Sequence, residues 1–228
     1  MNTQAASTKH GLAAGLAPTR ADWTIDQGWA NYSAEEHATW KTLFERQTAL
    51  LPQLACREFV EGMRALPLSA DAIPEFAALN EVLKPRTGWQ IVAVPGLVPD
   101  EVFFDHLANR RFPSGNFIRS ADQLDYLQEP DIFHDVFGHV PMLMHPVMAD
   151  FIQLYGEAGL RAQRIGKLTE LARVYWYTVE FGLVKEQIAG SDTLRIYGAG
   201  IASSFTESTF AMQSPSPHRI GFDLERVM

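Results

Sequence analysis

A single cysteine, Cys56, means that this chain of 228 residues has no internal disulfide and suits a reducing compartment. The plain reading of Cys56 is a buried small apolar residue. Basic residues are scarce as well: 19 Lys and Arg face 27 Asp and Glu, for a net charge of -8. No Lys/Arg run appears, and phosphate contacts need clustered cations, so a nucleic acid is not expected as the partner. No apolar run reaches the roughly 20 residues of a membrane-spanning helix, so no membrane partner is expected. Internal repeats, long linkers and low-complexity blocks are missing too. What remains is one domain, 46% apolar and long enough for a sizeable core.

The opening MNTQAASTKHGLAAGLAPTR has only a short GLAAGLA segment, too feeble for a secretory signal. Residues 1–22 are read as a mobile leader and 23–228 as the folded domain. A cytoplasmic monomer is expected.

Along that domain the patterns are mostly helical. Ser33 with Glu36 makes a capping box, and a helix follows through Trp40, Leu43, Phe44 and Leu51 until Pro52. Further helices are expected from about Leu54 to Met63 and from Ala70 to the stop at Pro85 and Gly88. Trp89 to Val94 is the best strand candidate. Pro99 starts a helix carrying Phe103, Phe104 and Leu107, and Ser120 with Gln123 makes a second capping box. Pro146 opens a long helix, and Leu168 to Phe181 is periodic and apolar. Gln187 to Tyr197 reads as two short strands about Gly190, and Gly198 to Met212 as a last helical piece. The fold class is therefore mainly α with a small β component.

PDIFHDVFGHVP, Pro130 to Pro141, and YWYTVEFG, Tyr175 to Gly182, carry the chemistry. The first holds His134 and His139; the second holds Glu180 among aromatic residues. Two imidazoles and one carboxylate occupy one face of a metal and leave the other open, as in non-haem Fe(II) oxygenases. Five residues along a regular helix amount to a rotation of roughly 140°, so His134 and His139 need a helix end, a bulge or a turn between them. Gly138 and Pro141 supply a place for one. The spacing also differs from HExxH, where both histidines share a helical face. By spacing alone the site admits zinc as readily as iron, and each residue taken singly is more often structural.

HDVFGHVP and YWYTVEFGL, with GLVPDEVFFDHLANRRFP, FIRSADQLDYLQEPD, RIYGAGIASSFTES and GFDLERVM, resemble the pterin-dependent aromatic amino acid hydroxylases. The bacterial members that hydroxylate phenylalanine are the nearest match. The likeness runs from about Trp23 to the last residue. It implies a catalytic domain holding Fe(II), a tetrahydropterin as two-electron donor, O2, and conversion of L-phenylalanine to L-tyrosine.

The resemblance also implies roles. His134, His139 and Glu180 are the iron ligands, and Ser203 supports a ligand imidazole. Asp131, three residues before His134, is expected to hold the far ring N–H; its other reading is a helix-start charge. Arg119 is the expected bidentate donor to the substrate carboxylate. Trp176 and Phe181 form an aromatic wall, and Gly200 lets the backbone approach the substrate. Phe103 stacks on the pterin beside Gly96, Leu97 and Val98. Asp135, where many family members carry Glu, is expected near the pterin and the iron waters. Without the family, Phe103, Trp176 and Phe181 read as ordinary core, and Arg119 as a solvated side chain.

The family's catalytic domain continues for several tens of residues past GFDLERVM, so part of it is expected to be missing here. Three alternatives follow: a tryptophan or tyrosine hydroxylase, an inactive metal- or pterin-binding module, and a zinc hydrolase. The last is disfavoured because no independent general base stands out.

Overall fold

The computed structural model describes residues 20–125 and 129–227. Most of the leader expected over 1–22 lies outside them. Residues 20–22 are already tied in: Arg20 pairs with Asp26, and Asp22 accepts from both the amide and the hydroxyl of Thr24.

Helix α1, Ala34–Leu54, starts at the expected capping box, with Ser33 Oγ accepting from the Glu36 amide and the Glu36 carboxylate accepting from the Ser33 amide. Pro52 does not end it. The helix runs one half-turn further, because a missing N–H near the last turn removes only one bond. Helix α2, Arg57–Ala65, begins later than expected: Ala55 and Cys56 are extended, and the Cys56 amide donates to the Ile196 carbonyl. Helix α3, Phe76–Thr87, takes in Pro85 and stops only at Gly88, whose φ of 77° makes the left-handed cap.

Strand β1, Gln90–Val94, pairs in parallel with β2, Arg111–Gly115, and α4, Asp100–Ala108, is the crossover between them. Propensity hides β2, since Pro113 and Gly115 are poor strand residues. Strands β3, Leu183–Ile188, and β4, Ser191–Ile196, form a hairpin across Ala189 and Gly190, both at positive φ. Helix α6, Pro146–Arg164, lies against α4, and Gly159 permits the approach: a Cβ there would stand 2.0 Å from the Phe104 ring. Helices α7, Leu168–Tyr175, α8, Ala199–Ala202, and α9, Phe205–Gln213, follow, and α5, Val140–Leu143, bridges to α6. Among the described residues the architecture is mainly helical with two small sheets.

The core sits directly behind the histidine segment. Phe133 and Phe137 stack at 4.7 Å, Trp40 meets Phe133 edge-on at 5.2 Å, and Phe44 meets Phe137 at 5.6 Å. Aromatic burial of this kind dominates core energetics and fixes the backbone that carries the two imidazoles.

Candidate metal centre

Phe133–His139 is wound as a π-helix, as is Trp176–Glu180. In a π-helix each hydrogen bond spans five residues, so a residue five further on returns to nearly the same face. That resolves the spacing of His134 and His139. Pro141 helps to cause the widening, because it offers no N–H to the Phe137 carbonyl four residues back. In the second segment the Phe181 amide donates to the Trp176 carbonyl at 3.0 Å, and the Thr178 hydroxyl donates to the Val174 carbonyl at 2.5 Å. Such side-chain bonding back along a helix loosens its regular winding.

The two widened turns bring three donors together. His139 Nε2 lies 3.2 Å from His134 Nε2 and 3.2 Å from Glu180 Oε1, and His134 Nε2 lies 3.6 Å from Glu180 Oε2. Ligands held about 2.1 Å from one ion, at roughly right angles, stand about 3 Å apart, so this set fits one face of an octahedral metal. Among the described residues, none of His37, His106, His145 and His218 joins this donor group.

Burial pushes His134 down to about 4, against the pull of Glu180. The imidazole is thus neutral, as a metal ligand must be. Burial pushes Glu180 upward, but the two imidazoles and the Gly200 amide outweigh it, and the carboxyl stays below its usual range. Burial raises Asp135 to about 7.

The supporting residues differ in part from expectation. Asp131, fully buried, does not hold the His134 ring. Its Oδ1 accepts from the His134 backbone amide at 3.0 Å and from Arg119 Nη2 at 2.9 Å, while Oδ2 accepts from the Arg119 amide and Nε. The ring Nδ1 instead meets Ser203 Oγ at 2.9 Å. Asp131 is one turn before His134, so its carboxylate reaches the exposed amide of the helix start before it can reach the ring.

Arg119 is 7% exposed, and its fork is already bidentate to Asp131 rather than open on both prongs. A guanidinium has five donors, so the N–H groups on Nη1 remain for an anion. Gly200 approaches Glu180: a Cβ there would lie 3.0 Å from Oε2 and 3.3 Å from the Phe181 ring. Trp176 is more than half exposed and rests on Phe181 at 4.7 Å, so the proposed wall is a rim. Asp135 accepts from the Gly115 amide through Oδ2, which joins the end of β2 to the π-turn. Phe103, half-buried, packs on Tyr175 at 6.3 Å, while half-buried Gly96 and Val98 and exposed Leu97 form the approach to α4.

Two residues passed over in the sequence also shape the site. Tyr175 stacks on His139 at 6.1 Å and Phe112 lies 4.9 Å from it. Tyr175 stands five before Glu180, the same interval that relates the histidines, and that interval was the available signal.

The family model of the biopterin-dependent aromatic amino acid hydroxylases matches residues 25–228. Phenylalanine-4-hydroxylase of Caulobacter vibrioides is 65% identical over 219 residues, covering 96% of this chain and 73% of the relative. That of Ralstonia nicotianae is 61% identical over 209 residues, covering 92% and 66%. The crystal structure of Chromobacterium violaceum phenylalanine hydroxylase with iron and phenylalanine bound superposes with a TM-score of 0.86 at 53% identity, covering 93% of this chain and 76% of that one. The structure of that enzyme with iron(III) and 7,8-dihydrobiopterin gives 0.87 at 56% identity, with the same coverage.

Proposed function

Since the chain belongs to the biopterin-dependent aromatic amino acid hydroxylases, we propose that it is a phenylalanine 4-monooxygenase, converting L-phenylalanine to L-tyrosine with O2, Fe(II) and a tetrahydropterin. Relatives of 56–65% identity with that activity in their names support the choice over tryptophan or tyrosine hydroxylation. The observation that carries the reading is the convergence of two imidazole nitrogens and one carboxylate on a single point. Iron with reduced pterin supplies the electrons and the activation of O2 that no side chain offers.

The chain's own residues do the holding. His134, His139 and Glu180 take the metal, and Ser203 sets which nitrogen of His134 carries the proton. Phe112 and Tyr175 cover His139 and keep water from that side. Arg119, locked by Asp131, offers its Nη1 hydrogens to the substrate carboxylate, and Phe181 with Trp176 borders the ring. Phe103 and the Gly96–Val98 stretch present an aromatic face and backbone groups for a flat bicycle. Asp135 has Oδ2 tied to Gly115, so Oδ1 is the atom that holds or yields a proton near neutral pH.

Among the described residues no helix is long and apolar enough to cross a membrane. We read the protein as a cytoplasmic monomer; a dimer mass by light scattering would reject the second part. The deciding assay supplies phenylalanine, tyrosine or tryptophan with Fe(II), O2 and a tetrahydropterin. Tyrosine formed from phenylalanine, faster than either other product, is expected. Stoichiometric iron uptake with no product would instead favour a binding module.

A further inference from the structure

Gln47 is a polar side chain in the apolar stripe of α1, between Leu43 and Leu51, and is 1% exposed. A buried amide is unfavourable unless its hydrogen bonds are made, and Gln47 makes those of Nε2 only, its buried Oε1 having no partner among the described residues. Here Nε2 donates to the Ala202 carbonyl at 2.5 Å and lies 3.4 Å from Ser208 Oγ, which donates to the Ile201 carbonyl at 2.7 Å. Both carbonyls end the four-residue helix α8, where helical donors run short; that of Ile201 also accepts from the Ser204 amide at 3.3 Å. The next residue is Ser203, whose Oγ meets His134 Nδ1 at 2.9 Å. The Ser203 amide bonds the Ala199 carbonyl, which stands 2.9 Å from where a Cβ of Gly138 would be. The same helix presents Trp40 and Phe44 to Phe133 and Phe137. Helix α1 therefore backs His134 from two directions, by ring packing and by a chain of hydrogen bonds.

We propose that Gln47 is a positioning residue for the metal centre: by holding the Ala202 carbonyl it keeps the Ser203 hydroxyl on Nδ1 of His134. The inference rests on reading His134, His139 and Glu180 as the iron ligands. With Nδ1–H donating to Ser203, the lone pair of His134 is on Nε2, aimed between His139 and Glu180. A leucine of similar bulk fills the stripe but leaves the carbonyl without its donor, and the α8 end is then free to shift.

The test is a Co(II) titration of metal-free protein, reading the dissociation constant and the visible spectrum of the bound ion. Ser203→Ala is expected to weaken binding about 10–100-fold, and Gln47→Leu, one step further out, about 3–10-fold with an altered spectrum. Because Gln47 acts through the serine, adding Gln47→Leu to Ser203→Ala should cost no more than about twofold further. With Fe(II), kcat should fall while KM for the amino acid stays. Should Gln47→Leu not fold, Gln47→Met keeps the length of the side chain without a donor and is read in the same way. Binding by the glutamine variants within twofold of the parent, or the same loss in both backgrounds, overturns the proposal. A parent protein that takes up neither Co(II) nor Fe(II) overturns the ligand reading itself, and this inference with it.

Discussion

His134 and His139 stand five residues apart in the chain, yet their Nε2 atoms lie 3.2 Å from each other. Burial keeps His134 neutral, so its Nε2 can offer a lone pair to a cation shared with His139 and Glu180. We expect His134→Ala and Glu180→Ala each to lose iron and hydroxylation together, checked by metal content and tyrosine formed. Full iron retention in either variant would remove that residue from the ligand set.

Arg119→Ala should do more than weaken amino acid binding. It strands the fully buried Asp131 carboxylate, and breaking a buried ion pair from one side destabilises by about 3–5 kcal/mol. Arg119→Lys should not restore the loss, because one ammonium cannot replace Nε and Nη2 on two oxygens. Urea unfolding beside the Michaelis constant checks both parts.

Asp135 and His134 give the metal-free protein an opposed pH dependence. Asp135 titrates near 7 in the fold and near 3.9 unfolded, so between those values the fold binds more protons and stability drops as pH rises, by at most about 1.4 kcal/mol per unit. His134 titrates near 4 in the fold and about 6.5 unfolded, so its contribution rises with pH over that window. Asp135→Asn removes only the falling part, and its amide oxygen can still accept from Gly115. The stability of this variant relative to the parent should therefore climb from about pH 4 to about pH 7. A flat difference in chemical denaturation would contradict the burial of Asp135.

Gly138→Ala adds a methyl 2.9 Å from the Ala199 carbonyl, between the π-turn and α8. Overpacking of this kind typically costs about 1–3 kcal/mol, and here the backbone that must yield also carries Ser203. Both a lower melting temperature and weaker metal binding are expected. Gly166→Ala, with nothing within 4 Å of its Cβ but a φ of 69°, separates backbone strain from crowding.

Much of this was legible in the letters, though unevenly. The Ser33–Glu36 box, the Pro146 start and the Gly190 turn are local devices, and each is found where local chemistry puts it. The histidine interval announced a departure from regular winding without saying which kind. What stayed hidden is tertiary. Nothing near Arg119 in sequence says that its fork is taken by Asp131, twelve residues on. Ser120 and Gln123 have the letters of a capping box, yet the hydroxyl bonds Asp122 and Gln123 side chains instead of an amide. Strand β2 exists only because β1 lies beside it, a pairing that overrides the weak propensity of Pro113 and Gly115.

A π-turn holds one residue more than the α-turn it replaces, so the stretch from His134 to His139 behaves as a helix that has absorbed an insertion. Excising one residue between the two imidazoles, Val136 for example, would let the segment relax into ordinary winding with the histidines four apart. The rings would then project side by side from one stripe instead of converging edge to face, and Phe137 would swing out of its stack on Phe133. A one-codon deletion therefore reshapes the ion's surroundings more than most substitutions can.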